Sequence, residues 1–280
     1  MKTKEKYAFI TGASMGLGRE LAIESARRGR NVILVALPGR NLGQFCLELV
    51  RSYGVRAVAH ECDLTDEKAL NRLVKEVLEN YSVDTLINNA GVGGTKRFED
   101  STPEYLDAII HLNIRATTML TRMMLPELRS HPGALIMNVA SVAAFGPLPY
   151  KTIYPASKAF VYYFTRSLSR ELRGTGVHVT VVTPGPIVTN PDVALRIMTQ
   201  GGLGRLGLLT AGKIARLALD GAAKRRVVIV PGIMSRVNRF LLRWFPESWQ
   251  LSLMSRIFEK ELDYGIAPIR QRYLSTCKQV

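Results

Sequence analysis

The chain is poor in cysteine, in histidine and in acidic residues, and each shortage narrows the classes of protein to which it can belong. The three cysteines, Cys46, Cys62 and Cys277, have neither metal-ligand spacing nor the density of a disulfide scaffold, so we expect a reducing, cytoplasmic location. Four scattered histidines form no ligand cluster, and no metal site is predicted. No apolar run approaches the ~18 residues of a membrane span, and no apolar secretory segment precedes the first strand-like run.

Basic residues outnumber acidic ones, with 38 lysines and arginines against 23 aspartates and glutamates, a formal net charge of +15. The surplus is strongest in residues 191–280, which contain 15 basic and 6 acidic side chains. Nucleic-acid binding is the obvious interpretation of so basic a chain. No nucleic-acid-binding motif accompanies the charge, however, and we predict no nucleic-acid partner. A solvated basic surface and a membrane-contacting surface remain as the other interpretations.

Strand-like runs alternate with helical periodicity along the chain. Continuous apolar runs such as 32–37 are typical of parallel strands covered on both faces. We therefore predict an α/β fold, a Rossmann-like doubly wound parallel sheet of about seven strands flanked by helices. Residues 1–232 form this predicted domain, and a helical extension at 233–280 packs on it or at an interface. The predicted strands are 6–11, 31–36, 55–61, 83–88, 133–140, 176–183 and 226–231; the predicted helices are 16–29, 40–53, 66–80, 103–129, 152–173 and 211–223.

A glycine-rich turn follows the first strand-like run and precedes a helical pattern, the context in which such a turn binds phosphate. Gly12 permits a tight turn, Gly16 lets the backbone approach a pyrophosphate, and Gly18 allows close packing of helix on strand. The helix N-terminus then offers free N–H groups to the phosphates. The spacing is G-x3-G-x-G rather than G-x-G-x-x-G. The predicted cofactor-binding residues of this turn are Gly12, Ser14, Met15, Gly16, Leu17 and Gly18.

Three more loops follow strand-like runs, at the carboxyl edge where open α/β sheets bind ligands. The segment Asn88–Gly91 follows the run 83–87. Asp63 is predicted either to hydrogen-bond an adenine amine or to cap the helix that begins near Asp66. The Pro-Gly-Pro loop at 184–186 is rigid and able to contact a nicotinamide. These loops supply the predicted cofactor contacts Asp63, Leu64, Asn89, Ala90, Gly91, Pro184, Gly185, Ile187 and Thr189.

Tyr154 and Lys158 lie four residues apart, the spacing of one helix face, and Ser141 lies upstream of them. A free phenol has a pKa of about 10. A neighbouring ammonium favours the phenolate, so we predict that Lys158 lowers the pKa of Tyr154 towards the range of a working acid or base.

In this order and spacing, the residues resemble the short-chain dehydrogenase/reductase family in its single-domain form. The resemblance runs from about Lys6 to Val230 and rests on the glycine turn, the Asn-Asn-Ala-Gly segment, the Tyr-x3-Lys pair and the Pro-Gly loop. It implies that Tyr154 is the acid/base and that Ser141 polarises the substrate oxygen. It also implies that Lys158 binds the nicotinamide ribose and lowers the tyrosine pKa, that Asn113 supports a water-mediated proton relay, and that residues 190–209 close over substrate.

The choice between NADP and NAD depends on the end of the second strand. An NAD preference usually needs a carboxylate there, and the residues after Val35 include none before Arg40. The basic residues usual in NADP-preferring members are also missing, because Met15 and Leu37 occupy those positions. Arg40 either meets a 2′-phosphate from its loop or is a solvated charge at a helix start. NADP is the preferred prediction, with NAD as the alternative.

The residues around the predicted catalytic pair are apolar, which suits a small hydrophobic carbonyl substrate; the other interpretation is that they are only core. The apolar run 159–164 covers nearly the whole circumference of its helix, which predicts a homodimer or homotetramer. The predicted substrate-lining residues are Val142, Ala143, Ala144, Phe145, Pro147, Leu148 and Ile153.

The sequence therefore predicts an NAD(P)-dependent oxidoreductase that interconverts a hydrophobic ketone or aldehyde and its alcohol. A 3-oxoacyl-thioester reductase and a non-catalytic nucleotide-sensing protein are the alternatives.

Residues 233–262 predict two amphipathic helices broken at Pro246, with tryptophans 244 and 249 on their apolar sides and arginines 236, 239 and 243 in a neighbouring row. That pattern suits shallow insertion at an anionic membrane surface. The competing interpretation is a lid or a subunit contact over the substrate pocket.

Overall fold

The protein contains one seven-stranded sheet in which every strand pair is parallel. The computed structural model describes residues 5–187, 208–244 and 246–263. The spatial order of the strands is β3-β2-β1-β4-β5-β6-β7, so the chain winds outward in one direction from β1 and then in the other from β4. The strands are β1 (Lys6–Thr11), β2 (Asn31–Ala36), β3 (Ala57–Glu61), β4 (Ser82–Asn88), β5 (Leu135–Val139), β6 (His178–Val182) and β7 (Val228–Ile229).

Nine α-helices are described, and they connect the strands or follow the sheet. They are α1 (Gly16–Arg27), α2 (Leu42–Tyr53), α3 (Glu67–Asn80), α4 (Pro103–Ile110), α5 (Thr117–Arg129), α6 (Ile153–Glu171), α7 (Ala211–Ala223), α8 (Ile233–Trp244) and α9 (Glu247–Asp263). A π-helical turn, His111–Ala116, joins α4 to α5, and a short 3₁₀ helix, Val142–Phe145, precedes α6. The predicted fold class and the predicted break at Pro246 are confirmed.

Three predicted elements differ clearly from the structure. The single helix predicted at 103–129 is interrupted by the π-helical turn, whose extra residue per turn changes the direction of the side chains that it carries. The helix predicted from residue 40 begins at Leu42, because Asn41 adopts a left-handed conformation with φ 52°. The last strand is also shorter than predicted, with two residues in place of six.

The two faces of the sheet are both buried, which explains why its strands are apolar at successive positions. Side chains alternate between the faces along each strand. In β1, Ala8 and Ile10 contact the core beneath α1, α2 and α7, whereas Tyr7 and Phe9 contact the core beneath α3 and α5. Helix α6 covers the second face beside β5 and β6. The carboxyl ends of the strands therefore meet at one edge, where the glycine turn and the Asn88–Gly91 loop lie.

The C-terminal helices pack beside this edge. Helix α8 packs against the 3₁₀ helix Val142–Phe145, and Leu251 of α9 lies near the same segment. Among residues 5–187, 208–244 and 246–263, no helix is both long enough and apolar enough to cross a bilayer. The remainder of the predicted C-terminal extension, from residue 264, lies outside the described residues.

Candidate active site

The turn between β1 and α1 has the backbone geometry of a phosphate-binding loop. Gly12 and Gly16 have φ angles of +64° and +56°, which side chains rarely adopt. Helix α1 begins at Gly16, and Met15 before it provides no side-chain cap. The first N–H groups of α1 are therefore free to meet an anion, with the positive end of the helix dipole behind them.

Gly18 allows the turn to lie directly against the loop after β4. A Cβ atom at Gly18 would lie 2.1 Å from the Gly12 carbonyl oxygen and 2.4 Å from Asn89 Nδ2, so any side chain there would push the two loops apart. The turn thus presents backbone without side chains and with uncapped N–H groups. N–H donors arranged in this way fit the pyrophosphate of a dinucleotide.

Asn89 supports the glycine turn with its side chain. Its Nδ2 donates to the carbonyl oxygens of Thr11 at 2.9 Å and Gly12 at 3.2 Å. The backbone N–H groups of Asn89 and Ala90 each donate to the Thr11 hydroxyl at 3.0 Å. The side-chain amide of Asn89, which was predicted as a cofactor contact, therefore joins the loop after β4 to the turn after β1.

Tyr154, Lys158 and Ser141 come together as the sequence predicts. Tyr154 and Lys158 lie on the same side of α6, with the ammonium nitrogen 5.9 Å from the centre of the tyrosine ring. Lys158 is buried and donates to the Val139 carbonyl oxygen at 3.1 Å. Ser141, the residue before the 3₁₀ helix, forms a side-chain hydrogen bond with Tyr154. The two hydroxyl groups are thus within hydrogen-bonding distance of each other.

The ionisation of this pair differs from the prediction. Burial raises the pKa of the Tyr154 hydroxyl, and the hydrogen bond with Ser141 opposes that rise. Burial also lowers the pKa of the Lys158 ammonium, to about 8. The direction of the tyrosine pKa is therefore opposite to the predicted lowering, because burial, the largest contribution, outweighs the hydrogen bond with Ser141. At neutral pH Tyr154 is a protonated phenol and hence a proton donor.

Asn113 lies in the π-helical turn, fully buried, and faces the same loop edge. Its Oδ1 accepts from the Val92 N–H at 2.9 Å, and its Nδ2 donates to the Val92 carbonyl oxygen at 2.9 Å. Nδ2 also donates to the Ser157 hydroxyl at 2.9 Å. π-Helical turns occur frequently at functional sites, and here the turn aims Asn113 between the loop after β4 and helix α6.

Two residues of this arrangement were missed by the sequence analysis. Ser157 links Asn113 to α6, because its hydroxyl accepts from Asn113 and donates to the Tyr154 carbonyl oxygen at 2.7 Å. Gly93 lies against the Tyr154 ring, so closely that a Cβ atom there would overlap it. Ser157 lies three residues after Tyr154, on the same helix face, and that spacing was the available signal. Nothing in the sequence distinguishes Gly93 from an ordinary loop glycine.

The loop after β3 settles one of the two interpretations of Asp63. Asp66, not Asp63, caps α3, because its side chain accepts from the Ala69 N–H at 3.0 Å. Asp63 Oδ1 accepts from the Thr65 N–H at 2.8 Å and hydroxyl at 2.7 Å, and its side chain stays exposed. The predicted capping role of Asp63 is therefore wrong, and its predicted adenine contact stays a prediction. Leu64 contributes its side chain to the core.

The loop after β6 lies beside the 3₁₀ helix. The Val142 N–H donates to the Pro184 carbonyl oxygen at 3.0 Å, which joins this loop to the segment that carries Ser141. Gly185 lies against Ser235 of α8, and Ile187 forms a single parallel bridge with Leu209. The predicted contact Thr189 and most of the predicted covering segment 190–209 lie outside the described residues.

Arg40 lies in the exposed loop between β2 and α2. Among the described residues it forms no ion pair, in contrast to Arg19, which pairs with Glu48 at 2.7 Å and lies over the Phe45 ring. The segment between β2 and α2 contains no carboxylate. An uncommitted guanidinium near the end of β2 fits the prediction of a 2′-phosphate contact and does not test it.

The predicted substrate-lining residues divide between two places. An open apolar cavity of about 420 Å³ is lined by Ala143, Ala144, Phe145, Pro147 and Leu148 of that set. Ile153 lines a second, smaller cavity instead, and Val142 lines neither. The larger cavity also receives Pro155, Ala156 and Ala159 of α6 and Leu251 of α9. Ser141 and Tyr154 do not line it, so it adjoins their segments of chain without containing them.

A parallel sheet with a phosphate-binding turn after its first strand, together with a tyrosine and a buried lysine on one helix, defines a dinucleotide-dependent oxidoreductase. A family model described as short chain dehydrogenase matches residues 6–199. The chain belongs to the short-chain dehydrogenase/reductase family and is an oxidoreductase.

Several curated proteins resemble the chain over most of its length. An uncharacterized oxidoreductase of Staphylococcus epidermidis is 33% identical over 67% of this chain and 80% of its own. The 17-beta-hydroxysteroid dehydrogenase type 3 of Mus musculus is 34% identical over 68% of this chain and 62% of its own. The 3-oxoacyl-(acyl-carrier-protein) reductase FabG of Staphylococcus aureus is 30% identical over 78% of this chain and 92% of its own.

Solved structures resemble the chain in the same way. A bulky-bulky ketone specific alcohol dehydrogenase from Comamonas testosteroni superposes with a TM-score of 0.72 at 27% identity, over 88% of this chain and 97% of its own. A short-chain dehydrogenase from Sphingobium yanoikuyae in complex with NADPH has a TM-score of 0.72 at 27% identity, over 87% and 97%. A Burkholderia phymatum member in complex with NAD has a TM-score of 0.74 at 26% identity, over 86% and 94%. These neighbours support a nicotinamide cofactor and leave the preference open.

Proposed function

We propose that this protein is an NADP-dependent reductase of hydrophobic ketones or aldehydes, with Tyr154 as the proton donor. The observation that carries the proposal is the hydrogen bond between Ser141 and Tyr154 on the side of α6 where Lys158 is buried. Two hydroxyl groups that converge on one point can both donate to a carbonyl oxygen, which stabilises negative charge as it develops there.

Each residue has a distinct proposed task. A bound nicotinamide supplies the hydride. Tyr154 transfers its proton to the substrate oxygen, and its raised pKa keeps that proton available at neutral pH. Ser141 donates a second hydrogen bond to the same oxygen. Lys158 binds the ribose next to the nicotinamide, and Asn113 holds Val92 and Ser157 in place beside them while supporting the proton relay.

The glycine turn and the loops at the carboxyl edge are the proposed cofactor site. The uncapped start of α1 and the bare backbone at Gly12, Gly16 and Gly18 suit the pyrophosphate. NADP is the proposed preference because Arg40 is exposed beside the end of β2 and no carboxylate lies nearby in sequence. Structures similar to this chain have been solved with NADPH and with NAD, at 27% and 26% identity. The cofactor preference of this chain therefore has to be measured on the chain itself.

The apolar cavity supports a hydrophobic substrate. Its lining contains alanine, phenylalanine, proline and leucine, with Thr152 and Gly146 as its other members. None of the described residues that line it is charged, so these residues offer no group to hold a carboxylate or a phosphate. Two of the similar proteins carry names that point to bulky or steroid substrates, which is consistent with such a lining.

The test is a panel of ketones and aldehydes, each supplied with NADPH and with NADH, followed by cofactor oxidation. The expected result is faster turnover of long-chain or multi-ring ketones than of small or charged ones, and faster turnover with NADPH. Absence of cofactor oxidation with every carbonyl would remove the proposed activity, and a preference for small charged ketones would remove the proposed substrate class.

A 3-oxoacyl-thioester reductase is the second candidate, favoured by the match to FabG over 92% of that protein. The same Tyr154, Ser141 and Lys158 would act on the 3-oxo group. Turnover of a 3-oxoacyl-CoA at least as fast as that of the best simple ketone selects this candidate, because the thioester then contributes binding that a simple ketone lacks.

We also propose that the enzyme forms a homodimer or homotetramer through the outer side of α6. Phe160 and Tyr163 are exposed there, and the Phe160 and Phe164 rings stack at 5.9 Å. A cytoplasmic location is proposed from the cysteines: Cys46 and Cys62 are free and buried, and burial raises the pKa of each thiol to about 11.

A further inference from the structure

An apolar stripe runs along the outer side of α8. Ile233, Val237, Phe240 and Trp244 follow one another at steps of four, three and four residues, the spacing of one helix face, and all four side chains are exposed. The Phe240 and Trp244 rings lie 6.0 Å apart. A surface helix ordinarily buries such a stripe against its own core, and α8 leaves it in solvent.

Contacts on the other sides of α8 hold the helix in this orientation. Ser235 is buried, with its hydroxyl against Gly185 of the Pro-Gly loop. Arg236 Nε donates to the Val230 carbonyl oxygen at 3.2 Å. The helix also packs on the 3₁₀ helix Val142–Phe145. The helix is therefore packed on the rest of the protein, and the exposed stripe is its outer side.

Helix α9 extends the same kind of surface. Trp249 and Leu253, four residues apart, are 68% and 56% exposed. Between them Leu251 lines the apolar cavity, and further along α9 Phe258 is buried beneath the Lys151 ammonium at 4.7 Å. One helix thus contributes to the cavity on one side and presents apolar side chains to solvent on the other. We call Ile233, Val237, Phe240, Trp244, Trp249 and Leu253 together the outer apolar face.

The charge of α8, which carries most of this face, is positive. The sequence of α8 contains three arginines and no acidic residue, and Arg236 and Arg256 are exposed. Helix α9 contains Arg256 and Lys260 together with four acidic residues, and all of these charged residues except Glu247 follow Leu253. The whole chain has a formal net charge of +15. A second copy of this chain placed on the face would add the arginines of its own α8 to the same interface, and like charges gathered there cost free energy.

We propose that the outer apolar face docks the protein on the surface of an anionic lipid bilayer. Apolar side chains then enter the boundary between headgroups and acyl chains, tryptophans lie at that boundary, and the arginines meet lipid phosphates. Each chemical group of the face has a partner in such a surface. The binding is peripheral, since α8 and α9 lie along the protein and contribute one side each.

Docking in this way gives the enzyme a route to substrates dissolved in the membrane, and this step rests on the proposed function. Leu251 lies between Trp249 and Leu253 on the chain and lines the apolar cavity. A single helix therefore separates the cavity from the docked surface, which keeps the path of a hydrophobic ketone from the bilayer to the cavity short.

Tryptophan fluorescence tests the docking directly, because the chain contains two tryptophans and both belong to the outer apolar face. Vesicles of equal parts phosphatidylglycerol and phosphatidylcholine are expected to shift the emission to shorter wavelength and to co-sediment with the protein. Vesicles of phosphatidylcholine alone are expected to do so weakly. Phe240→Ser and Leu253→Ser should each lower the partition constant about tenfold, because each removes an inserted apolar side chain.

Leu47→Ser is the matched control, since Leu47 lies on α2 and is 50% exposed against 56% for Leu253. It should leave vesicle binding unchanged. The proposal is overturned if anionic vesicles neither shift the emission nor sediment the wild-type protein, or if Leu47→Ser weakens binding as much as Leu253→Ser. A blue shift without vesicles that grows with protein concentration, and disappears in Phe240→Ser, assigns the face to a second copy instead.

The two proposals fail separately. Vesicle binding is measured without turnover, so an inactive carbonyl panel leaves the docking result intact. If the enzyme is active but does not bind vesicles, the proposed function stands and the proposed membrane docking is overturned. If docking serves substrate access, Phe240→Ser keeps its rate on a water-soluble ketone and loses rate on a vesicle-dissolved one.

Discussion

Gly93 and Tyr154 are in such close contact that a Cβ atom on the glycine would lie 2.3 Å from Cδ2 of the tyrosine ring. The ring is held between the loop after β4 and helix α6, and the glycine sets how near the loop can come. The orientation of the phenol therefore depends on a residue that has no side chain.

Gly93→Ala is expected to displace the Tyr154 ring and to lower kcat by about 10- to 100-fold, because small displacements of a reacting group are that costly. The control is Gly43→Ala, where nothing lies within 4 Å of the added carbon. Steady-state kinetics and thermal unfolding of both variants decide the matter. Equal activity of the two variants would show that the ring position tolerates the extra carbon.

Tyr154→Phe is expected to lower kcat by about 10²–10⁴-fold while NADPH binding changes little, because the substitution removes the transferable proton and almost no volume. Single-turnover rates and cofactor titration measure the two effects. A variant that keeps more than half of the wild-type rate would show that another group supplies the proton.

Cofactor affinity is expected to fall as the pH rises through about 8, the pKa to which burial lowers the Lys158 ammonium. Below that pH the ammonium is charged and donates to the ribose hydroxyls; above it the charge is lost. A titration of NADPH from neutral to alkaline pH measures the step. Lys158→Met should bind NADPH weakly at every pH and show no step, and a step that persists in this variant would assign the titration to another group.

Arg40→Ala is expected to raise the KM for NADPH by about 10- to 100-fold and to leave the KM for NADH nearly unchanged, the magnitude of a charge-assisted contact with a 2′-phosphate. Arg51→Ala, at an exposed position on α2, is the charge-matched control. Equal effects on both cofactors would remove Arg40 from the cofactor site.

The positions of the strands along the chain and the location of the binding edge could be predicted from the sequence because they depend on local patterns. Apolar runs bounded by turn residues mark the strands, and the position of Gly12–Gly18 after β1 marks the edge at which ligands bind. The close approach of the turn to the loop after β4 agrees with this, since Gly18 lies against Asn89. The roles of Ser141, Tyr154, Lys158 and Asn113 stay predictions, now with a geometry that supports them.

The errors arose where the outcome depends on an environment that the sequence does not show. Helical spacing predicted that Lys158 and Tyr154 share a face, which they do, but the direction of the tyrosine pKa depends on burial by other parts of the chain. A helical pattern over 103–129 contained no sign of the π-helical turn, whose Asn113 bonds to Val92 across a loop. Asp63 was the capping candidate in the sequence, and the structure gives that role to Asp66, whose side chain accepts from the Ala69 N–H.

The sequence by itself determined the family, the parallel sheet and the chemical groups at its carboxyl edge, because residue spacing and side-chain type decide these. Only the tertiary structure decided that Gly93 lies against the catalytic candidate Tyr154, that burial raises the pKa of the Tyr154 hydroxyl, and that the apolar stripe of α8 faces outward. Periodicity shows that a helix has an apolar side. Which way that side points follows from the contacts that the rest of the chain makes with the opposite side.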